Sequence, residues 1–140
     1  MKKYLHALAM CRSMFCAIPC FWRVWDEEAR DKMLLFLPAV GLETGAIWAL
    51  LAWLCRYLAL PALVQGAVLG AYPFVVTGFI HLDGFMDVTD AVRSCRDLAR
   101  RREILKDSRV GSFAVIGVVL LALCQTALFA SAKTAASLWT

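Results

Sequence analysis

Three aspartates lie close together in the segment HLDGFMDVTD, residues 81–90. Asp83, Asp87 and Asp90 are separated by four and then three positions, so on a helix they share one face. With a rise of about 1.5 Å per residue, neighbouring carboxylates on that face are roughly 4.5–6 Å apart and repel one another. A hard divalent cation removes the repulsion, and magnesium usually fills its remaining positions with water and substrate phosphate. The spacing is therefore suited to a magnesium site that binds a diphosphate.

The same acids have a simpler interpretation, as solvated carboxylates on a helix beside a membrane. The spacing alone leaves both interpretations open, although ionisable groups at membrane depth are functional candidates by default. Asp97 follows on the same face, but the arginines around it favour a structural ion pair. Arg93 lies one turn after Asp90, where it could pair with that carboxylate and weaken metal binding.

A second segment with suitable chemistry is KDSRVGS, residues 106–112, which leads into the last apolar stretch. It contains two cations, Lys106 and Arg109, together with Ser108 and Gly111. Free N–H groups at the start of a helix hold phosphate, and arginine grips phosphate oxygens with a two-pronged fork. The two segments together offer metal-binding carboxylates and phosphate-binding cations, which is the equipment for phosphoryl transfer.

The elements that must position these segments are membrane helices. The 140 residues are 61% hydrophobic and 19% charged, and their mean hydropathy of +0.67 departs from the usual mix of a soluble domain. A crossing needs roughly 20 apolar residues, and three stretches qualify, at 33–55, 58–80 and 113–132. We predict an all-α polytopic integral membrane protein with three transmembrane helices in one membrane domain.

The two remaining segments complete this predicted fold. The stretch 4–21 contains Arg12 and Pro19, which favour an interfacial or re-entrant helix over a full crossing. The polar segment 81–112 is predicted to be a helical loop that carries the site. Within the second crossing, Pro73 is expected to bend the helix close to the three aspartates.

The basic residues predict the orientation. Of the 15 Lys and Arg residues, six lie in 1–32 and seven in 81–112. Two crossings separate these regions, so both lie on one side, which the positive-inside rule makes the cytoplasm. The run Arg100–Arg102 is interpreted as an anchor on anionic lipid. The net charge of +4 follows from this asymmetry, and we expect contact with membrane lipid and none with nucleic acid.

Small and polar residues inside the crossings are expected to pack the helices. Glu43 is the one acid within a predicted crossing, and structural pairing is favoured over contact with a substrate. Two small-xxx-small patterns would let helices approach closely, within one chain or between copies: Gly41 with Gly45, and Gly66 with Gly70. The six cysteines contain no C-x-x-C pair, so most are expected to be small apolar packers.

The two motifs HLDGFMDVTDA and ILKDSRVGSFAV, each adjoining an apolar stretch, resemble the cobalamin synthase family, also called adenosylcobinamide-GDP ribazoletransferase. The segment LPAVGLETGAIWALLAW is similar to the first crossing of that family. The resemblance covers roughly residues 5–125. Members of the family continue with further membrane spans, so the match is to the N-terminal part.

The resemblance implies a magnesium-dependent transferase of the bacterial cytoplasmic membrane, acting late in cobalamin biosynthesis. A hydroxyl of α-ribazole, or of its phosphate, would attack the phosphate next to the cobinamide in adenosylcobinamide-GDP, and GMP would leave. Asp83, Asp87 and Asp90 would hold magnesium, and one of them or Asp107 would act as general base. The implied substrate-binding residues are His81, Lys106, Ser108, Arg109 and Gly111.

Several alternatives remain open at this stage. The chain could be a fragment, a truncated product or half of a split enzyme, completed by a complementing chain or a homo-oligomer. It could also be a non-catalytic subunit or scaffold of the same pathway, or a small cation-binding membrane protein. A CDP-alcohol phosphotransferase is a further alternative, because Asp83-Gly84 fits the start of its signature, although Met86-Asp87 stands where Ala-Arg is expected.

Overall fold

The computed structural model describes residues 2–20, 22–107 and 109–136, with side chains up to residue 132. All regular structure in these ranges is helical, as predicted. The elements are α1 (Lys2–Phe15), a 3-10 helix (Glu27–Phe36), α2 (Leu37–Tyr57), α3 (Ala62–Val76), α4 (Ile80–Arg93), α5 (Leu98–Ile104) and α6 (Ser112–Ala136). They form two compact units, one of Met1–Ala59 with Val75–Gly78 and one of Leu60–Phe74 with Phe79–Thr140.

In the first unit, α1 packs against the 3-10 helix. Met10 and Cys11 on α1 are buried, and so are Ala29 and Met33 on the 3-10 helix. Asp26 begins the 3-10 helix, where its Oδ1 accepts a hydrogen bond from the Glu28 N–H at 3.0 Å. The short N-terminal segment is therefore a packed helix, whose predicted interfacial or re-entrant placement remains a prediction.

Two helices described by the structure are long and apolar enough to cross a membrane, Glu27–Tyr57 and Ser112–Ala132. They contain the whole of the predicted stretches 33–55 and 113–132. The first is longer than predicted because the 3-10 helix runs directly into α2. Pro38 stands in the first turn of α2, where the fixed φ of proline suits the start of an α-helix.

The second predicted crossing, 58–80, is not a single straight helix in the structure. Helix α3 ends at Val76, and the chain bends by 91° before α4. Gly78 and Phe79 adopt left-handed conformations with φ of 62° and 64°, which end a right-handed helix. The pair α3 and α4 is either a broken crossing or a re-entrant loop, so the count of crossings is two or, with this pair, three.

The acidic segment starts a separate helix at this bend. The predicted helical loop 81–112 contains two separate helices, since α4 ends at Arg93 and α5 begins at Leu98. Asp97 caps α5 by accepting a hydrogen bond from the Arg100 N–H at 2.8 Å. The structural ion pair predicted for Asp97 is thus replaced by a helix cap.

In the second unit, one of the two predicted small-xxx-small patterns lies at a close contact between helices. A Cβ on Gly66 would lie 2.8 Å from the Ala130 nitrogen and also against the Thr126 carbonyl oxygen, so α6 passes directly over this position. At Gly41 and Gly45 on α2, an added Cβ would meet nothing within 4 Å. Close helix packing inside the chain therefore uses Gly66.

Candidate functional site

Two of the three aspartates predicted to form the site have exposed side chains on helix α4. Asp83 and Asp87 are exposed and one helical turn apart. Neither carboxylate forms a hydrogen bond or ion pair with the described residues. These two acids therefore carry negative charge that the described part of the protein does not neutralise.

The third aspartate, Asp90, has a different environment. Its Oδ2 accepts a hydrogen bond from the Gly111 N–H at 2.6 Å, and its Oδ1 accepts one from the Ala114 N–H at 2.9 Å. Asp90 therefore caps the start of α6 from another helix. The alternative pairing of Asp90 with Arg93 is absent from the described ion pairs, because both carboxylate oxygens face backbone N–H groups.

The three carboxylates of α4 differ in how well they fit a magnesium site. No group of three His, Cys, Asp or Glu side chains in the described ranges is placed to hold a metal ion. Magnesium commonly takes only one or two carboxylates and leaves its other positions to water and phosphate. Asp83 and Asp87 fit such a site, whereas the three-carboxylate ligand set with Asp90 stays a prediction.

The loop before α6 holds an ion pair between two predicted site residues. Arg109 donates from Nε and Nη2 to the Asp107 carboxylate at 3.0 and 2.7 Å, and its backbone N–H donates to Oδ1 at 3.0 Å. The hydrogen bonds from the Arg109 side chain, followed by the one from its backbone, lower the pKa of Asp107 to about 2. A carboxylate with so low a pKa is a weak proton acceptor near neutral pH.

Lys106 and Ser108 are the other two site residues predicted in this loop. Lys106 is exposed and has no ion pair within the described ranges. Ser108 lies outside the described residues.

The two charged segments meet at a small cavity of about 370 Å³ in the second unit. Four residues that the sequence singled out line it, namely Asp90, Asp107, Arg109 and Gly111. Ile104 and Phe113 supply apolar walls. The tertiary structure thus joins one residue of the acidic motif to three of the cationic motif, which are separated by 17 to 21 positions in the sequence.

His81 lies apart from this cavity, on a groove that the sequence analysis missed. The groove has a volume of about 830 Å³ and runs between α4 and α6, with Phe85, Val88 and Ile116 among its apolar residues and Arg93 among its polar ones. The signal in the sequence was the apolar set at positions 85, 88 and 92, which falls on the face of α4 away from the aspartates.

Comparison with known proteins gives a consistent result. The sequence profile of the cobalamin-5-phosphate synthase family matches residues 7–140. The chain is 43% identical over 127 residues to adenosylcobinamide-GDP ribazoletransferase of Clostridium perfringens (strain 13 / Type A), covering 91% of the chain and 51% of that relative. No solved structure matches it.

Two further relatives carry the same name. The protein of Clostridium botulinum (strain Eklund 17B / Type B) is 42% identical over 125 residues, which are 89% of the chain and 50% of the relative. The protein of Acetivibrio thermocellus is 34% identical over 130 residues, which are 92% of the chain and 52% of the relative. The chain therefore spans about half the length of the curated relatives it matches.

Proposed function

Because the chain belongs to the cobalamin-5-phosphate synthase family, we propose that it is a magnesium-dependent membrane transferase acting on adenosylcobinamide-GDP. It joins the phosphocobinamide of that substrate to α-ribazole or its phosphate and releases GMP. The observation that carries the proposal is the cavity at which Asp90, Asp107, Arg109 and Gly111 meet, next to a helix with two unpaired carboxylates.

The exposed carboxylates of Asp83 and Asp87 are the proposed magnesium ligands. Magnesium, when bound, neutralises the charge of the diphosphate and orients it for an in-line displacement. Because the two acids have no partner in the described part of the chain, ligand binding does not first have to break an ion pair. Asp107 is poorly suited to act as the general base, because the hydrogen bonds from Arg109 lower its pKa to about 2, so this role is proposed for one of the aspartates of α4.

The cations of the loop are proposed to bind the phosphate oxygens. Lys106 is exposed and available as a point charge. Arg109 still has free N–H donors after its contacts to Asp107, since a guanidinium carries five. Asp107 then orients Arg109, and the arginine stabilises charge on the phosphoryl group and on departing GMP. Ser108 is proposed to contact the same phosphate, and His81 to lie near the membrane boundary.

The membrane arrangement is part of the proposal. With the bent pair α3 and α4 counted as one crossing, the chain has three. The N-terminal region and residues 94–112, which follow the bent pair, then lie on the cytoplasmic side of the bacterial cytoplasmic membrane, where the basic residues contact anionic lipid.

A second candidate is a non-catalytic subunit or scaffold of the same pathway. In that case the exposed carboxylates and the loop cations would bind the activated substrate without completing the transfer. Membership of the family argues against the CDP-alcohol phosphotransferase alternative.

The test uses the whole chain purified in detergent, with adenosylcobinamide-GDP, α-ribazole and magnesium chloride, and product is measured by mass spectrometry. We expect product from the parent chain and none from Asp87→Asn. Asp31→Asn is the matched control, because Asp31 is an exposed acid in the other unit, and it should retain activity. Magnesium-dependent GDP binding without product would favour the second candidate, and absence of both would overturn the proposal.

A further inference from the structure

Both oxygens of the Asp90 carboxylate are engaged by the backbone. Oδ2 accepts from Gly111 and Oδ1 from Ala114, at 2.6 and 2.9 Å. The N–H groups in the first turn of a helix have no partner within it, so Asp90 supplies two of the acceptors that α6 lacks. Its negative charge also lies at the positive end of the helix dipole, where it is favourable.

Gly111 has no side chain, which lets the Asp90 carboxylate approach its backbone closely. A Cβ at this position would lie 2.5–2.6 Å from all three atoms of the Asp90 carboxyl group. Real Cβ atoms do not approach other atoms so closely, so any side chain here would push the carboxylate away from the N–H groups. Glycine is therefore required here because of the short distance to the Asp90 carboxylate. The backbone conformation does not itself require glycine, since φ of Gly111 lies outside the left-handed range.

We propose that Asp90 and Gly111 are a positioning pair and that Asp90 is not a magnesium ligand. This inference rests on the proposed function, because it concerns how the two charged segments of that site are held together. Their contact fastens α4 to the beginning of α6, and the hydrogen bonds bridge 21 and 24 positions of sequence.

The geometry shows what this contact fixes. Asp87 precedes Asp90 by three residues, which is about 4.5 Å along the helix axis. Arg109 precedes Gly111 by two residues, which limits their Cα separation to about 7 Å. Holding Asp90 on Gly111 therefore keeps the exposed carboxylates and the loop cations within one site-sized region.

The two-bond contact requires aspartate. Asparagine offers one acceptor oxygen, and its NH₂ group would face a second N–H donor. A metal ion that recruited Asp90 would have to displace charge-assisted hydrogen bonds, which are stronger than neutral ones. Asp83 and Asp87 offer carboxylates without that cost.

The experiment compares five variants of the whole chain in detergent: Asp90→Asn, Gly111→Ala, the double variant with both of these changes, Asp87→Asn and, as a glycine control with open space around it, Gly45→Ala. Three quantities are measured: amide hydrogen exchange at positions 111 and 114, magnesium affinity by calorimetry, and GDP affinity at saturating magnesium. Loss of one hydrogen bond corresponds to about tenfold faster exchange.

We expect Asp90→Asn and Gly111→Ala to speed exchange at these amides about tenfold and to weaken GDP binding about tenfold, with magnesium affinity changed less than about threefold. The double variant should be no worse than Asp90→Asn alone, because both changes break one contact. Asp87→Asn should weaken magnesium binding and leave the exchange rates unchanged. Gly45→Ala should match the parent chain.

Two results would overturn the proposal. If Asp90→Asn weakens magnesium binding as much as Asp87→Asn and leaves both amides protected, Asp90 is a metal ligand. If exchange speeds up while GDP affinity is unchanged, the contact is a helix cap without a positioning role. A parent chain that binds neither magnesium nor GDP would defeat the proposed function instead, and the exchange rates would then show a purely structural contact.

Discussion

The two units of the molecule use their acidic side chains in different ways. In the first unit, Asp26 accepts a hydrogen bond from His6 at 2.7 Å, which lowers the pKa of Asp26. Glu43 accepts from Nε and Nη2 of Arg12 at 2.9 and 2.8 Å, so the structural pairing favoured for Glu43 is confirmed. These acids tie α1 to the helices that follow it.

The second unit leaves part of its acidic charge unpaired. Asp83 and Asp87 lie exposed on α4 without a partner among the described residues. Repulsion between neighbouring carboxylates costs stability unless a cation offsets it. Asp26 and Glu43 therefore hold the first unit together, whereas Asp83 and Asp87 are available to the proposed magnesium ion.

The largest expected effect is on the magnesium affinity of the aspartates on α4. Replacing both Asp83 and Asp87 by asparagine should lower magnesium affinity roughly 100-fold, because both proposed ligands lose their charge. Calorimetric titration of the purified chain measures this affinity. An Asp26→Asn chain should keep parental magnesium affinity, and a loss there equal to that of the double variant would contradict the division of roles.

The next effect tests the ion pair of the first unit. Glu43→Gln leaves the Arg12 guanidinium with weaker acceptors, and we expect a loss on the order of 2 kcal/mol in the free energy of unfolding. Unfolding of the chain in detergent, followed by circular dichroism, gives the value. The double variant Arg12→Gln, Glu43→Gln should recover part of the loss, because it leaves no unpaired charge.

Arg30→Gln is the control for this pair, because its contact to Glu27 is long, at 3.6 Å, and both side chains are largely exposed. It should change the free energy of unfolding by less than about 0.5 kcal/mol. Equal losses in Arg30→Gln and Glu43→Gln would show that the Arg12–Glu43 pair contributes no more to the free energy of unfolding than an exposed ion pair does.

A third test compares the glycines of the two units. Gly66→Ala should cost about 1–2 kcal/mol, because the added methyl group meets backbone atoms of α6 that cannot rotate away. Gly45→Ala should be neutral or stabilising by up to about 1 kcal/mol, since alanine favours the helix and has open space here. Parallel unfolding measurements decide, and equal behaviour of the two variants would exclude tight packing at Gly66.

The smallest effect concerns pH. Since its folded pKa, about 2, is below the ordinary value of 3.8, Asp107 stabilises the folded loop at pH values above about 4, and this contribution is lost as the pH falls towards 2. An NMR titration of the Asp107 carboxyl carbon should therefore show a midpoint near 2. In Arg109→Gln the midpoint should return towards the ordinary value, and an unchanged midpoint would show that Arg109 is not the cause.

Much of the architecture follows from local sequence pattern. Long apolar stretches must be helical in lipid, because helices satisfy their own backbone groups, and α2 and α6 lie where the hydropathy indicates. The spacing of Asp83 and Asp87 places them on one helical face wherever that helix lies. An acid within an apolar stretch requires a partner, so the pairing of Glu43 could be predicted, although Arg12 as the partner could not.

The tertiary structure decided the features that depend on contacts between distant residues. The left-handed residues Gly78 and Phe79 separate α4 from α3, a bend that the apolar pattern does not reveal because the apolar run continues through it to Ile80. The contact of Asp90 with Gly111 joins residues 21 positions apart. In spacing alone Asp90 is equivalent to Asp83 and Asp87, and only the approach of the α6 N–H groups gives it a different chemistry.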